Sequence, residues 1–461
     1  MSQALPAQRP ASADASPLFP RRFPFWLPYL LYFLLALGYL FTVPLGESPD
    51  EPGHLQCIDQ VAVSARLPQI DPPPTGAWWS REAIISGRMC YHMPLYYLLA
   101  GGLQWLARGD ATPAIMPPSN PEWDCVAAVP MFTHPGKTAW YVLDEAALVT
   151  LMRLMGIALG LLTLWAVDLV TRQLWPREDA ARLAALLLAS GWPQFVFMSR
   201  AISNDTLATA LGALLLALLL RVGQPRRYVW LGLLACLAIL TKITMVFVIG
   251  VLLLGFLTES AFLYRARRRD YLWSGVGMGG LLLVLGGLLL WQPTLHEHLR
   301  LSELSFTTLR PESLTLTYWW HVFTWTLSSG WARYGWMNLP APQWQAVLWW
   351  GIIAAASLFG WRLAWGASAR VPARRWQVAM AMLWLLGLAA VYARINVNRF
   401  QPQFRLILAS LPALCALAAV GMTQAVRRWS GWQVALPAFL TLTLFLANGW
   451  LIWRVIVPAY R

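Results

Sequence analysis

Charge is what this chain lacks. Only 12% of its 461 residues are Asp, Glu, Lys or Arg, against roughly a quarter in ordinary soluble domains. With 58% hydrophobic residues, that scarcity excludes a soluble enzyme of this length and indicates a polytopic membrane protein. Lysine is nearly missing, Lys137 and Lys242 being the only two, so the formal net charge of +14 is almost all arginine. The arginines sit between apolar runs, which reads as membrane topology and not as a nucleic-acid surface. No CxxC pair, no Walker loop and no GxGxxG ahead of a strand occurs, so no nucleotide or nicotinamide cofactor is expected. Cysteine is scarce: Cys57, Cys90, Cys125, Cys236 and Cys415.

What is present is a series of apolar runs of membrane-spanning length. Eleven are expected to cross: 25–45, 146–172, 180–199, 205–221, 226–241, 243–259, 271–292, 344–366, 376–394, 404–424 and 433–454. The fold class is therefore an all-α polytopic membrane protein. Residues 1–24, polar and rich in Pro, Ala and Ser, are expected to be a disordered cytoplasmic N-terminus. The first run suits a retained anchor better than a cleaved signal peptide. Residues 25–454 form one transmembrane domain, and 455–461 a short outer tail.

Arginine clusters at 21–22, 176–182, 221–227, 264–269, 369–375 and 426–428 all fall on one face if 46–145 does not cross. That face is the cytoplasm by the positive-inside rule. The apolar stretch 92–107 is then an interfacial helix on the outer leaflet. Two large outer loops result, 46–145 and 293–343, with small outer hairpins at 199–205, 241–244 and 395–403. All six histidines lie on the outer side, as do Asp50, Glu51, Asp59, Asp71, Asp124, Asp205, Glu297 and Glu303. The chemistry is expected there. One disulfide can form among the outer Cys57, Cys90 and Cys125, with the pairing left open.

Five short stretches carry candidate chemistry. "SPDEPGHLQ" (48–56) sets two acids just past the first crossing. Asp50 or Glu51 can act as a general base on an acceptor hydroxyl, and the pair can hold a divalent cation such as Mg, Mn or Ca. The same spacing, Ser48 to Glu51, serves equally as a capping box, and His54 as a local hydrogen-bonding residue. "MSRAISNDTLA" (198–208) opens a crossing with Asn204 and Asp205, which suits a cap as well as a metal or substrate contact. Lys242 in "LTKITMV" lies at a depth where a lysine either snorkels or pairs with an anion. "NRFQPQFRL" (398–406) places Arg399 and Arg405 on the outer side, where guanidinium groups match either a bound phosphate or lipid headgroups. "SSGWARYGWMNLP" (328–340) reads as an aromatic belt or as a sugar- or lipid-binding surface.

The order of these pieces resembles the GT-C glycosyltransferases, most closely glycosyltransferase family 39 and the protein-mannosyltransferase-like group. The resemblance rests on "PDEPGH", "SARLPQ" (64–69), "YHMPLYYLLAGGL" (91–103), "FVFMSRAISNDTLATALGALLLALLLR" (195–221), "LAILTKITMV" (237–246), "GWARYGWMNLP" (330–340) and "FQPQFRLILASLPALCALAAVG" (400–421). It extends over about residues 25–425. Met93 replaces the first proline of the family's "HPPLYY", and "QFRL" replaces the glycine and tyrosine of its "GRY" element.

The resemblance implies transfer of a sugar from a polyprenyl-phosphate donor to a glycan, lipid or protein acceptor on the outer face of the cytoplasmic membrane, with inversion the usual outcome in this group. Asp50 would be the base, with Glu51 and Asp205 as metal contacts. Lys242, Arg399, Arg405 and Arg333, with His54 and His92, would bind the lipid phosphate or the sugar. Two other classes compete. A transporter or flippase of a lipid-linked substrate predicts charges near the midplane and inverted repeats, whereas interior charges here are few (Arg153, Asp168). A non-catalytic membrane scaffold predicts that Asp50→Asn leaves function intact.

Overall fold

The computed structural model describes residues 24–68, 88–108, 118–123, 128–134, 147–264, 267–304, 313–368, 371–429 and 431–460. Residues 1–23, Asp71, Asp124 and Cys125, for which expectations were stated above, lie outside the described residues. In chain order the helices are α1 (Leu27–Thr42), α2 (Glu51–Ser64), α3 (Leu95–Arg108), α4 (Ala147–Leu174), α5 (Asp179–Ser190), α6 (Pro193–Ser199), α7 (Asn204–Leu219) and α8 (Arg227–Thr241). There follow α9 (Ile243–Leu263), α10 (Arg268–Trp291), α11 (Pro293–Leu304) and α12 (Leu316–Trp331). A two-residue hairpin, β1 (Arg333–Tyr334) against β2 (Leu339–Pro340), leads into α13 (Gln343–Ser368) and α14 (Pro372–Asn398). The chain closes with α15 (Phe404–Val426) and α16 (Val434–Ala459).

Every run expected to cross is helical. Seven of the helices (α4, α9, α10, α13, α14, α15 and α16) are long and apolar enough to span a membrane. An eighth candidate is the pair α5–α6, bent by 60°. Its break falls at Gly191–Trp192 ahead of Pro193, where the proline removes a donor and pushes the preceding residue out of the helical region. The carbonyl of Gly191 accepts from Asn448 Nδ2 of α16 at 2.8 Å, so the break leaves that group satisfied. Helices α1, α7 and α8 have 16, 16 and 15 residues. At 1.5 Å per residue they reach roughly 24 Å, short of the roughly 30 Å hydrocarbon layer. Helix α3, with 14 residues, spans about 21 Å and packs along α2. Helix α16 continues to Ala459, so much of the expected tail from 455 is helical.

Small residues let the spans approach closely. A Cβ on Gly421 of α15 would collide with the carbonyl of Ala356 in α13, and one on Gly360 with the carbonyl of Leu417. Reciprocal glycines of this kind supply the close contact that membrane helices use in place of hydrophobic exclusion. Charges inside the bundle are paired. Glu259, fully buried at one end of α9, pairs with Arg227 and accepts from Tyr228 Oη at 2.8 Å, Tyr271 Oη at 2.6 Å and the Gly223 amide at 2.9 Å. Asp168 pairs with Arg182 and Arg172.

At the opposite end, segments from both long loops form a cap. Buried Glu47 accepts from the amides of Met131 (3.2 Å) and Phe132 (2.9 Å). Trp336, in the hairpin turn, donates to Gly46 O at 2.8 Å, and Asn338 Nδ2 to Val129 O at 2.8 Å. These bonds fix the turn that precedes Asp50.

Candidate functional site

Four distant segments meet beneath this cap. They are the turn at Asp50, the first turn of α7, the junction of α8 and α9, and the start of α15. Asp50 sits at the N-cap of α2 with φ 64°, in the left-handed region, which aspartate tolerates better than most residues. Its carboxylate accepts from Arg405 Nη2 at 2.6 Å. Arg405 Nη1 donates to Asp205 Oδ2 at 3.0 Å, and Asp205 Oδ1 pairs with Lys242 Nζ. Lys242 reaches inward because the backbone is extended there, between the end of α8 and the start of α9. The result is an alternating chain, Asp50–Arg405–Asp205–Lys242, drawn from residues up to 355 positions apart.

Two capping expectations are corrected by this geometry. Asp50, not Ser48, is the N-cap of α2, and Ser48 Oγ has no hydrogen-bond partner among the described residues. The left-handed turn at Asp50 takes the Ser48 hydroxyl away from the helix amides. Helix α7 is capped by Ser203, whose Oγ accepts from the Asp205 amide at 3.2 Å. Asp205 is thereby released from capping and its carboxylate meets the cations.

Glu51 has a different environment from its neighbour. It is fully buried and receives Arg153 in bidentate fashion, Nε to Oε1 at 3.0 Å and Nη2 to Oε2 at 3.0 Å. The Gly46 amide donates to Oε2 at 3.1 Å, and Arg200 lies 4.0 Å away. Arg153 also donates to the carbonyls of Val43 and Pro44. Glu51 therefore ties α2, α4 and the end of α1 together. Side-chain exposure separates the three acids: 21% for Asp50, 3% for Asp205 and 0% for Glu51. Asp50 is the acid that solvent or a substrate can reach.

His54 and His92 stack at 5.8 Å, and His54 Nδ1 lies 2.9 Å from Tyr97 Oη. Arg399 lies beside Tyr91 and Asp50, on the hairpin leading to α15. Arg333, at the start of β1, stacks on Trp325 with its guanidinium carbon 3.4 Å from the ring centroid. Its backbone amide donates to Gln194 at 2.7 Å. Of the nine residues singled out from sequence, Asp50, Asp205, Lys242 and Arg405 form one ion-pair chain. His54, His92 and Arg399 border it, Glu51 braces it from behind, and Arg333 belongs to the aromatic wall.

The electrostatics follow from this packing. Burial would raise the Asp50 carboxyl, but Arg405 beside it outweighs burial and holds it well below the usual carboxylate range. Glu51 is likewise held low by Arg153 and Arg200 against its own burial. Burial pulls His54 down to about 4 despite Asp50 and Asp205 nearby, so it is neutral at physiological pH. Burial also lowers His92, and His54 and Lys242 add to it. Desolvation lowers Arg399 and Arg333 to about 10 each, which leaves both charged.

The three acids expected to hold a metal do not fit one together. Glu51 spends both oxygens on Arg153, while Asp205 spends both on Lys242 and Arg405. Among the described residues no group of three or more His, Cys, Asp or Glu side chains is arranged to hold a metal ion. Below Asp205 a small cavity lies between α4, α6, α7 and α15, lined by Gly160, Thr163, Met198, Thr206, Thr209 and Leu408 among others.

Sequence reasoning missed Arg153 and Arg200 as partners of Glu51, and Ser203 and Tyr97 as partners of His54. The signal for Arg153 was present, because an arginine within a crossing requires a counter-ion. Cys57 and Cys90 form a disulfide with Cα atoms 5.3 Å apart, which settles the pairing left open above. It joins α2 to the turn at Arg88–Tyr91.

Known proteins resemble this chain in part of its sequence and in its fold. Residues 147–291 match the family model described as dolichyl-phosphate-mannose-protein mannosyltransferase. The match contains Arg153, Asp205 and Lys242, but not Asp50, Arg399 or Arg405. No curated protein matches the chain by sequence. Among solved structures the chain resembles ArnT from Cupriavidus metallidurans bound to undecaprenyl phosphate. Identity there is 14% and the TM-score 0.52, with 94% of this chain and 73% of that one covered. The apo form of that protein matches to the same degree. An oligosaccharyltransferase from Archaeoglobus fulgidus, in complex with Zn and sulfate, matches at 12% identity and TM-score 0.51. The similarity covers 91% of this chain but only 52% of the archaeal protein. These likenesses show that the chain shares the fold of these membrane proteins, and the apolar helices make it a multi-pass membrane protein.

Proposed function

We propose that this protein transfers a sugar from a polyprenyl-phosphate donor to an acceptor hydroxyl, with Asp50 as the base. The observation that carries the reading is the alternating chain Asp50–Arg405–Asp205–Lys242, whose most exposed acid, Asp50, is bonded directly to Arg405. Asp50, kept ionised by Arg405, takes the proton of the acceptor hydroxyl as its oxygen attacks the anomeric carbon. The bond from that carbon to the phosphate oxygen breaks, and the polyprenyl phosphate leaves with the electron pair. Arg405, Lys242 and Arg399 are the side chains that hold the developing charge. A single displacement of this kind inverts the anomeric centre. The undecaprenyl phosphate bound to the ArnT structure supports the same donor class.

With Asp205 and Glu51 already neutralised by side-chain cations, no step is assigned to a metal. The Cys57–Cys90 disulfide supports placing the site on the outer, oxidising side of the cytoplasmic membrane. In that orientation the N-terminus is cytoplasmic, with the arginine-rich loops.

The test is sugar transfer in proteoliposomes supplied with a panel of polyprenyl-phosphate sugars and a mixed pool of glycan, lipid and peptide acceptors. Asp50→Asn should lower turnover by about 10²- to 10⁴-fold while the protein still folds, and chelator should leave the wild type active. Turnover by Asp50→Asn at the wild-type rate would remove Asp50 from the base role. Absence of turnover with every donor would favour the scaffold or transport readings.

A further inference from the structure

We infer that His54 is a positioning residue, held as its Nδ1–H tautomer by a one-way hydrogen-bond chain that aims Asp205. The sequence had suggested a substrate contact, but His54 is only 1% exposed and is enclosed by α2, α3 and the cap of α7. Four bonds define the chain. The Asp205 amide donates to Ser203 Oγ at 3.2 Å, and Ser203 Oγ lies 3.5 Å from His54 Nε2. His54 Nδ1 lies 2.9 Å from Tyr97 Oη, and Tyr97 Oη donates to Met89 O at 3.1 Å.

Each hydroxyl has one proton, so the direction can be worked out. If His54 carried its proton on Nε2, it would donate to Ser203 Oγ and accept from Tyr97. Ser203 Oγ would then receive two donors, the Asp205 amide and the imidazole, and its own proton would have no acceptor among the described residues. With the proton on Nδ1, every donor finds an acceptor: Asp205 amide to Ser203, Ser203 to Nε2, Nδ1 to Tyr97, and Tyr97 to Met89 O. A buried site selects the arrangement that satisfies every group. The lowered basicity of His54 keeps the ring neutral, as the scheme requires.

The chain has a functional consequence that rests on the role given above to Asp205. With its proton given to His54 Nε2, Ser203 has its hydroxyl rotor fixed, and a lone pair stays turned to the Asp205 amide as the cap of α7. That cap leaves the Asp205 carboxylate to Lys242 and Arg405. The other end of the chain is Met89 O, one residue before Cys90, and Cys57 lies one helical turn after His54 on α2. The disulfide and the hydrogen-bond chain are therefore parallel links between α2 and the turn at residues 88–91.

The experiment is nitrogen NMR of full-length protein, labelled at histidine with ¹⁵N and held in detergent micelles or liposomes, with His54→Gln used to assign the signal. The free side chain favours the Nε2–H form. A buried donor without an acceptor carries a penalty equivalent to roughly tenfold or more in population, so His54 should be at least that far toward Nδ1–H. Tyr97→Phe removes the acceptor and should shift the ratio toward Nε2–H, with the other histidine signals reporting whether the fold persists. An Nε2–H wild type, or a ratio unmoved by Tyr97→Phe in the folded variant, overturns the inference. The tautomer is read without any turnover, so failure here is separate from failure of the proposed reaction. If the tautomer is as stated but Ser203→Ala leaves kcat unchanged, the link from His54 to Asp205 is refuted.

Discussion

Glu51→Gln removes one negative charge from a fully buried site and leaves the Arg153 guanidinium without its carboxylate. Both side chains are 0% exposed and joined by two bonds of 3.0 Å. Breaking one partner of a buried pair typically destabilises by about 3–5 kcal/mol, because the remaining charge is left uncompensated. That corresponds to a loss of more than about a hundredfold in the folded-to-unfolded ratio. Arg153→Met should cost less, because Arg200 stays 4.0 Å from Glu51 as a second cation. The double variant should lose less than the two single losses added together, since it removes both charges at once. The assay is reversible unfolding by SDS in mixed micelles, with tryptophan fluorescence as the signal. Single losses of about 1 kcal/mol or less, of the size expected for exposed pairs, would refute the reasoning, as would strict additivity in the double variant. Either result would mean that Glu51 faces water or substrate, and would return it to the catalytic candidates.

The disulfide closes a loop of 33 residues, so Cys57→Ala with Cys90→Ala should destabilise by roughly 3–4 kcal/mol, and peptide mapping without reductant should recover the two cysteines as one cross-linked species. Stability should depend on pH through His54, whose basicity is lowered from about 6.5 to about 4 in the fold. The unfolded chain binds the proton more readily, so stability is fully present above about pH 6.5 and is lost as pH falls toward 4. His54→Gln should flatten that part of a stability–pH curve, and an unchanged slope would assign it to other groups, His92 first. Gly421→Leu should prevent close packing of α13 on α15, because a side chain there meets the Ala356 carbonyl. Its folded yield in detergent should fall severely, whereas Gly351→Leu, which meets open space, should express normally.

The architecture was legible because its signals are local. Each expected crossing is a run of apolar residues, and a run of that length has few alternatives in a membrane. The α5–α6 bend was less legible, since Pro193 marks a break but not its angle. The site divides along the same line. Asp50, Asp205, Lys242 and Arg405 stood out one by one as polar residues at the ends of apolar segments, where exposure has to be explained. Their mutual pairing was not readable, because Arg405 and Asp50 are 355 positions apart and one sequence carries no record of long-range contact. Glu51 shows where residue type misleads. It shares a dipeptide with Asp50, yet successive side chains leave a helix start in different directions, and the left-handed turn at Asp50 widens that difference. One acid is turned to the open side and the other to Arg153. The chemistry of the "DE" pair is thus decided by a backbone angle and by an arginine in a helix about a hundred residues later. The paired arginine supplies a criterion for other chains with adjacent acids past a first crossing: the acid matched by a buried intramembrane arginine is the brace, and its neighbour is the one free to react.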